Sequence, residues 1–204
     1  EKLQKYASLF GLNERTGIEI EEAAPQIANE FPVMAAIGQS NNNYTTVQLA
    51  RYVTAVANEG TVYQYTLLNR LEDSDGNVLQ TFEPQVRNQI DVLDTEEWNA
   101  IHSGMRMVVE NTKEFDGFPI EAAGKTGTAQ QNLKRPNHAL FVGYAPYDDP
   151  EISIATRIAY GYTSHNAAKL ARNVFAYYFN VENEDELLNG QAANGNSSSN
   201  EISD

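Results

Sequence analysis

Three strand-length runs, at residues 122–130, 138–145 and 152–160, follow one another with links too short to hold a crossover helix. Parallel neighbours need a connection of a dozen residues or more, so these runs predict an antiparallel sheet. Asp148, Asp149 and Pro150 mark the second link as a tight turn. A helix is predicted next, with Ala167, Leu170, Ala171, Val174, Phe175 and Tyr178 on one stripe.

Upstream, Thr45 and Gln48 have the spacing of a reciprocal helix cap. Val47, Ala50, Val53 and Ala57 then predict one apolar face, and Gly60 a left-handed stop. A hairpin is expected from strands at 61–71 and 78–82 around the Asp75-Gly76 turn. A further helix starts at Asp94 with Glu97 as its cap partner, and Trp98, Ile101, Met105 and Val108 share a face. Residues 13–44 read as irregular. Leu3, Ala7 and Phe10 recur at helical spacing before Gly11, so the chain opens at or inside a helix, as a fragment does. The order of helix, hairpin, helix, three strands and helix reads as α+β, an antiparallel sheet covered by helices. One domain is expected over 1–182. The polar, acidic stretch 183–204 cannot bury enough apolar surface to order itself and is expected to be disordered.

Composition narrows the function. The net charge is -14, from 14 basic and 28 acidic residues, which repels phosphate backbones and argues against nucleic acid as a partner. The absence of cysteine excludes disulfides, thiolate metal sites and Cys nucleophiles. His102, His138 and His165 lie far apart, and no His-Glu-x-x-His pattern occurs, so no metal is expected. No apolar run is long enough to span a bilayer.

The chemistry-bearing segment is Ala123-Gly124-Lys125-Thr126-Gly127-Thr128-Ala129. Glycines weaken a strand unless another backbone or a ligand comes close. Alternation puts Thr126 and Thr128 on one side and Lys125 on the other. At the edge of a cleft such a strand can pair with an extended peptide, and its hydroxyls and ammonium can hold a carboxylate. A bare Lys-Thr-Gly triplet is also compatible with a strand beside a turn and a solvated lysine. A phosphate-binding loop is excluded, because its first glycine would fall on Pro119 and a strand, not a helix, follows.

Taken with its surroundings, the segment resembles the penicillin-binding transpeptidases, whose three motifs are Ser-x-x-Lys, Ser-x-Asn and Lys-Thr-Gly. Phe10-Gly11-Leu12 with Thr16-Gly17-Ile18 resembles the stretch after the second motif. Ile37-Gly38-Gln39-Ser40, Thr45-Thr46-Val47-Gln48-Leu49-Ala50 and Ala57-Asn58-Glu59-Gly60 resemble the family's next helix and its approach. Gly124-Lys125-Thr126-Gly127-Thr128-Ala129-Gln130 resembles the third motif of the monofunctional, class B branch, and Phe141-Val142-Gly143-Tyr144-Ala145-Pro146 the strand after it. Thr46 stands where proline is usual, Leu140 where an aromatic is common, and Lys169 where proline is frequent. No Ser-x-x-Lys occurs; Ser103-Gly104-Met105-Arg106 carries Arg, which cannot deprotonate to act as a base. Ser40-Asn41-Asn42 spells Ser-x-Asn but follows the Gly-Gln element, so it reads as a chance match. The first two motifs are expected N-terminal to Glu1.

The resemblance implies the serine penicillin-recognising transpeptidase and β-lactamase-like fold. It also implies a peptidoglycan D,D-transpeptidase working through a serine acyl-enzyme. Its partners would be peptidoglycan stem peptides, β-lactams, the N-terminal portion carrying the missing motifs, and division or elongation machinery. No cofactor is implied. Lys125 and Thr128 would be catalytic; Thr126, Gly127 and Thr128 would bind substrate, with the Thr128 N–H in the oxyanion hole. The implied location is the outer face of a bacterial cytoplasmic membrane, tethered by a segment N-terminal to Glu1. The alternatives are a β-lactam sensor, a β-lactamase-like hydrolase, or a non-catalytic scaffold.

Overall fold

The computed structural model describes residues 2–188, which divide into two compact units between His102 and Ser103. The boundary between them falls inside the fourth helix. Each unit has its own apolar core.

In the first unit, α1 (Lys2–Leu9) stops at Gly11, whose φ of 74° lets Leu12 N–H reach the Ala7 carbonyl at 3.0 Å. A short α2 (Pro32–Ala36) interrupts the irregular stretch. The predicted cap of α3 (Thr46–Ala57) forms in both directions. Gln48 N–H donates to Thr45 Oγ1 at 3.2 Å, and Thr45 N–H to Gln48 Oε1 at 2.9 Å. Its buried residues are Gln48, Arg51, Val53, Ala55 and Val56, so of the four expected face residues only Val53 is fully buried. The difference is polar. Gln48 Nε2 donates to the Ala23 carbonyl, and the Arg51 guanidinium donates to the carbonyls of Gly11, Glu14 and Arg15. α3 buries these side chains to satisfy loop backbone, which a count of apolar residues does not register.

The expected hairpin is also revised. Residues 61–71 form two strands with different partners. β1 (Thr61–Gln64) pairs antiparallel with β4 (Gln85–Gln89), and β2 (Arg70–Glu72) with β3 (Val78–Thr81). The break lies where the Glu19 carboxylate takes both the Thr66 hydroxyl and, at 2.7 Å, the Leu67 N–H. The turn itself is where the sequence placed it: Asp73 Oδ1 accepts from the N–H groups of Asp75 and Asn77, and Gly76 has φ 84°. Ala55, Val62, Ile90 and Trp98 make the core, with Leu9, Phe10 and Leu93 packed on it.

α4 (Thr95–Glu110) starts with the expected Asp94–Glu97 reciprocal cap, at 2.9 and 3.0 Å. Trp98 and Val109 are buried, and Ile101 is exposed.

In the second unit, β5 (Ala123–Ala129), β6 (His138–Ala145) and β7 (Ile152–Ile158) form an antiparallel sheet in that order. β7 ends two residues earlier than predicted, because Tyr160 and Tyr162 take φ of 55° and 65° in the turn that follows. α5 (Ser164–Tyr178) packs on the sheet through Ala167, Ala168, Ala171 and Phe175, against Phe141, Ala139, Ala145 and Ala122. The predicted stripe is rotated: Leu170, Val174 and Tyr178 are exposed, while Ala168, Arg172 and Ala176 are buried. The Thr156 hydroxyl sits 3.0 Å from the Ala167 carbonyl and 3.3 Å from the Phe141 carbonyl. So close an approach admits alanine and excludes larger side chains. α6 (Glu184–Leu188) occupies the first residues of the stretch expected to be disordered; the remainder lies outside the described residues. Among the described residues no helix is long and apolar enough to cross a membrane, and no cluster of metal-binding side chains occurs.

Candidate active site

The Ala-Gly-Lys-Thr-Gly-Thr-Ala segment is β5 from end to end. Its register with β6 places Gly124 opposite Gly143, Lys125 opposite Val142, Thr126 opposite Phe141, Gly127 opposite Leu140, Thr128 opposite Ala139 and Ala129 opposite His138. Directly paired residues share a face, and faces alternate along a strand. Phe141 lies in the core under α5, so Gly124, Thr126 and Thr128 stand on the helix-covered face. Lys125, Gly127 and Ala129 stand on the other, with Leu140, Val142 and His138.

The two buried glycines make room for Phe141. A Cβ on Gly124 would meet the ring at 2.3 Å and the Val142 carbonyl at 2.8 Å; one on Gly143 would meet the ring at 2.7 Å and the Ala123 carbonyl at 2.6 Å. Gly127 is different. A Cβ there would meet Leu140 at 3.4 Å and nothing closer. The packing of the sheet does not demand a glycine there.

Among the described residues, β5 is paired on one edge only, with β6. Lys125 and Thr128 are exposed, and Thr126 and Gly127 half-buried. The Lys125 ammonium donates to the Thr126 carbonyl at 2.9 Å, so the cation curls along its own strand. A backbone edge, two hydroxyls and a cation therefore lie within four consecutive residues. That set can take an extended peptide by strand addition and its carboxylate by charge-assisted hydrogen bonds.

The local charge favours an anion. In a chain of net charge -14, residues 122–147 contain no Asp or Glu and carry Lys125, Lys134 and Arg135; residues 152–181 are likewise free of acid and carry Arg157, Lys169 and Arg172. This acid-free window is a sequence signal that reading motifs alone passes over.

Two further groups share the Lys125 face. Arg157 of β7 lies opposite Leu140, which lies opposite Gly127. His138, which in the sequence is only an isolated histidine, is the β6 residue facing the end of β5. It is buried, and burial together with the Arg157 guanidinium holds its pKa below the ordinary imidazole value. Tyr144 is fully buried, and burial pushes its phenol up, with smaller contributions from Tyr147 and Asp148.

The two look-alike motifs are structural. Ser40 Oγ donates to the Glu30 carbonyl, and the side-chain oxygens of Asn41 and Asn42 accept from the N–H groups of Asn29 and Ala28, which staples the loop to itself. Arg106 pairs with Glu110 and Glu121.

The chain is similar to known proteins in both sequence and fold. A profile of the penicillin-binding protein transpeptidase domain matches residues 1–176. Penicillin-binding protein 2A of Bacillus subtilis is 27% identical over 95% of this chain, which covers 31% of that protein. The peptidoglycan D,D-transpeptidase MrdA of Haemophilus influenzae is 32% identical over 88% of this chain, covering 33% of that protein. The solved structure of penicillin-binding protein 2B from Streptococcus pneumoniae superposes with a TM-score of 0.77 at 25% identity, over 89% of this chain and 33% of that one. This chain thus spans about a third of the length of the curated relatives it matches.

Proposed function

Since this chain belongs to the penicillin-binding protein transpeptidase family, we propose that it supplies the Lys-Thr-Gly part of a peptidoglycan D,D-transpeptidase site. The observation that carries the reading is β5, the edge strand of the sheet among the described residues, which brings Lys125, Thr126, Gly127 and Thr128 together in an acid-free part of the chain. A stem peptide ending in a free carboxylate pairs along that edge. The hydroxyls of Thr126 and Thr128 bind the carboxylate, Lys125 supplies positive charge beside it, and Gly127 lets the substrate backbone come close. The Thr128 N–H donates to the oxyanion formed when a serine attacks the scissile carbonyl, a contribution of about 3 kcal/mol for one donor.

That serine and its lysine base belong to the rest of the complete protein. No Ser-x-x-Lys occurs in these 204 residues, and the relatives are about three times as long. The acyl-enzyme passes to an amine on a neighbouring stem, and β-lactams trap it by mimicking the donor. The chemistry places the protein outside the cytoplasmic membrane of a bacterium, where its substrate is, working with division or elongation machinery.

The test is fluorescent penicillin. The complete protein is expected to take one stoichiometric label; turnover of the β-lactam would instead mark a hydrolase. The 204-residue chain alone is expected to take none, and a label on it would place a nucleophile within these residues. Lys125→Ala is expected to slow acylation by about 10–100-fold, the worth of one hydrogen bond to a charged group. Unchanged acylation would remove Lys125 from the site.

A further inference from the structure

We propose that His138 is a positioning residue for the Lys125–Thr128 segment, clamping the end of β5 through the neutral imidazole with its proton on Nε2. The proposal rests on the reading of β5 given above.

His138 opens β6 and pairs with Ala129, the last residue of β5, so it closes the hairpin directly after Thr128. Its two ring nitrogens have different partners. Tyr160 N–H lies 3.1 Å from Nδ1, and a backbone amide can only donate, so Nδ1 carries a lone pair. The proton is therefore on Nε2, which lies 2.8 Å from Gln131 Oε1 and donates to it. Gln131 is the second residue beyond β5.

The clamp extends outward from the imidazole. The Tyr160 ring packs on it with centroids 4.9 Å apart, on a backbone with φ 55° that an L-residue adopts only when held. Arg135, in the β5–β6 loop, donates to the Tyr160 hydroxyl at 2.7 Å and lies 5.2 Å over its ring. Tyr162 N–H reaches the Asn137 carbonyl at 3.1 Å. The loop is thus tied to the turn after β7 through Gln131, Arg135 and Asn137, with His138 at the centre. These ties fix the direction in which Thr128 presents its N–H and hydroxyl.

His138 is 6% exposed, so it acts through β5 and not on substrate. It also stands on the face opposite Phe141, away from the core under α5. Losing it should therefore loosen the end of β5 without unfolding the unit. Protonation should have the same effect. A second ring proton would point at the Tyr160 N–H, and a cation would form beside Arg157, whose Nη2 is 3.4 Å from each ring nitrogen. The charged and titratable groups around the ring are Arg157 on β7, Tyr160 in the turn and Arg135 in the loop; β5 presents Ala129.

The experiment measures the second-order rate of acylation by fluorescent penicillin in the complete protein between about pH 5 and pH 8. Wild type is compared with His138→Phe and His138→Gln, and thermal melts are run on all three. Phe removes both hydrogen bonds and is expected to slow acylation at neutral pH by at least about tenfold with a native-like melt. Gln can donate to Gln131 and accept from Tyr160 N–H, so it is expected to restore the rate to within about threefold. The His138→Gln profile is expected to be flatter on the acid side than that of wild type. A folded His138→Phe protein that acylates at the wild-type rate overturns the proposal while leaving the transpeptidase reading intact. If His138→Phe does not fold, an acid limb in His138→Gln identical to wild type overturns it. A wild-type protein that takes no label overturns the transpeptidase reading, and the positioning role with it.

Discussion

Gly124 and Gly127 lie three residues apart on one strand, in surroundings that alanine substitution tells apart. At Gly124 the added methyl would sit 2.3 Å from the Phe141 ring and 2.8 Å from the Val142 carbonyl. The ring is fully buried and cannot swing aside, and the carbonyl belongs to the neighbouring strand. Overpacking of this kind costs about 3 kcal/mol. For a chain of this size each kcal/mol moves Tm by about 2–4 °C, so Gly124→Ala should melt about 6–12 °C lower. At Gly127 the methyl meets only Leu140, at 3.4 Å, and no positive φ opposes an L-residue. Fewer unfolded conformations then stabilise Gly127→Ala by about 0.4–1 kcal/mol. If the proposed function holds, acylation of the complete protein should nonetheless fall by at least about tenfold, because the methyl adds bulk to the Lys125 face of the strand that the substrate must approach. Melts followed by near-ultraviolet circular dichroism and penicillin labelling read the two effects separately. A Gly124→Ala protein that melts like wild type would refute the packing argument. A Gly127→Ala protein that acylates normally would refute the close-approach argument.

Arg51→Met strands three loop carbonyls, at Gly11, Glu14 and Arg15, and should cost about 3–5 kcal/mol in a denaturant melt; Arg51→Lys should not restore it, since an ammonium cannot span the three. Thr156→Val keeps the shape but loses the hydroxyl between Ala167 and Phe141, and should lower stability by about 1 kcal/mol. The Glu14 carboxyl is held below its ordinary pKa by the hydrogen bonds and charge of Arg87, with Arg51 adding to them. A lowered carboxyl pKa stabilises the fold above the unfolded value, and that contribution is lost as pH falls through the folded value. Arg87 is exposed and the pair is screened by solvent, so Arg87→Met should destabilise only slightly at neutral pH, with the difference vanishing in acid; a difference independent of pH would refute the pairing.

The elements legible in the sequence are those whose cause is local. The caps at Thr45 and Asp94 depend on residues three positions away, and both form. Short links alone dictate that β5, β6 and β7 run antiparallel, as they do. What escaped prediction has distant causes. Residues 61–71 divide because Glu19 reaches Thr66 across 47 positions. α3 and α5 turn faces to their cores that apolar counting does not choose. Arg51 is drawn in by carbonyls of another loop, and alanines of α5 are chosen by the nearness of Thr156. The candidate site divides in the same way. Lys125 to Thr128 are contiguous and readable as a motif, whereas His138 and Arg157 join them only through the register of three strands.

That register is itself held by the glycine before the motif, Gly124, and its partner on β6, Gly143. A slip of one residue between β5 and β6 would carry Lys125 to the helix-covered face and put an ammonium among Phe141, Ala171 and Phe175. Hydrophobic patterning opposes such a slip only weakly here, because β5 contains no large apolar side chain. The discrimination comes instead from Phe141, whose ring fits only where Gly124 and Gly143 face each other. Displaced by one, the ring would meet the Lys125 side chain or lose its place over both glycines. Phe141 thus does for β5 what a row of branched residues does in an ordinary strand. It leaves the outward face to Lys125 and Gly127, which explains how a segment so poor in apolar atoms is still a strand of fixed register.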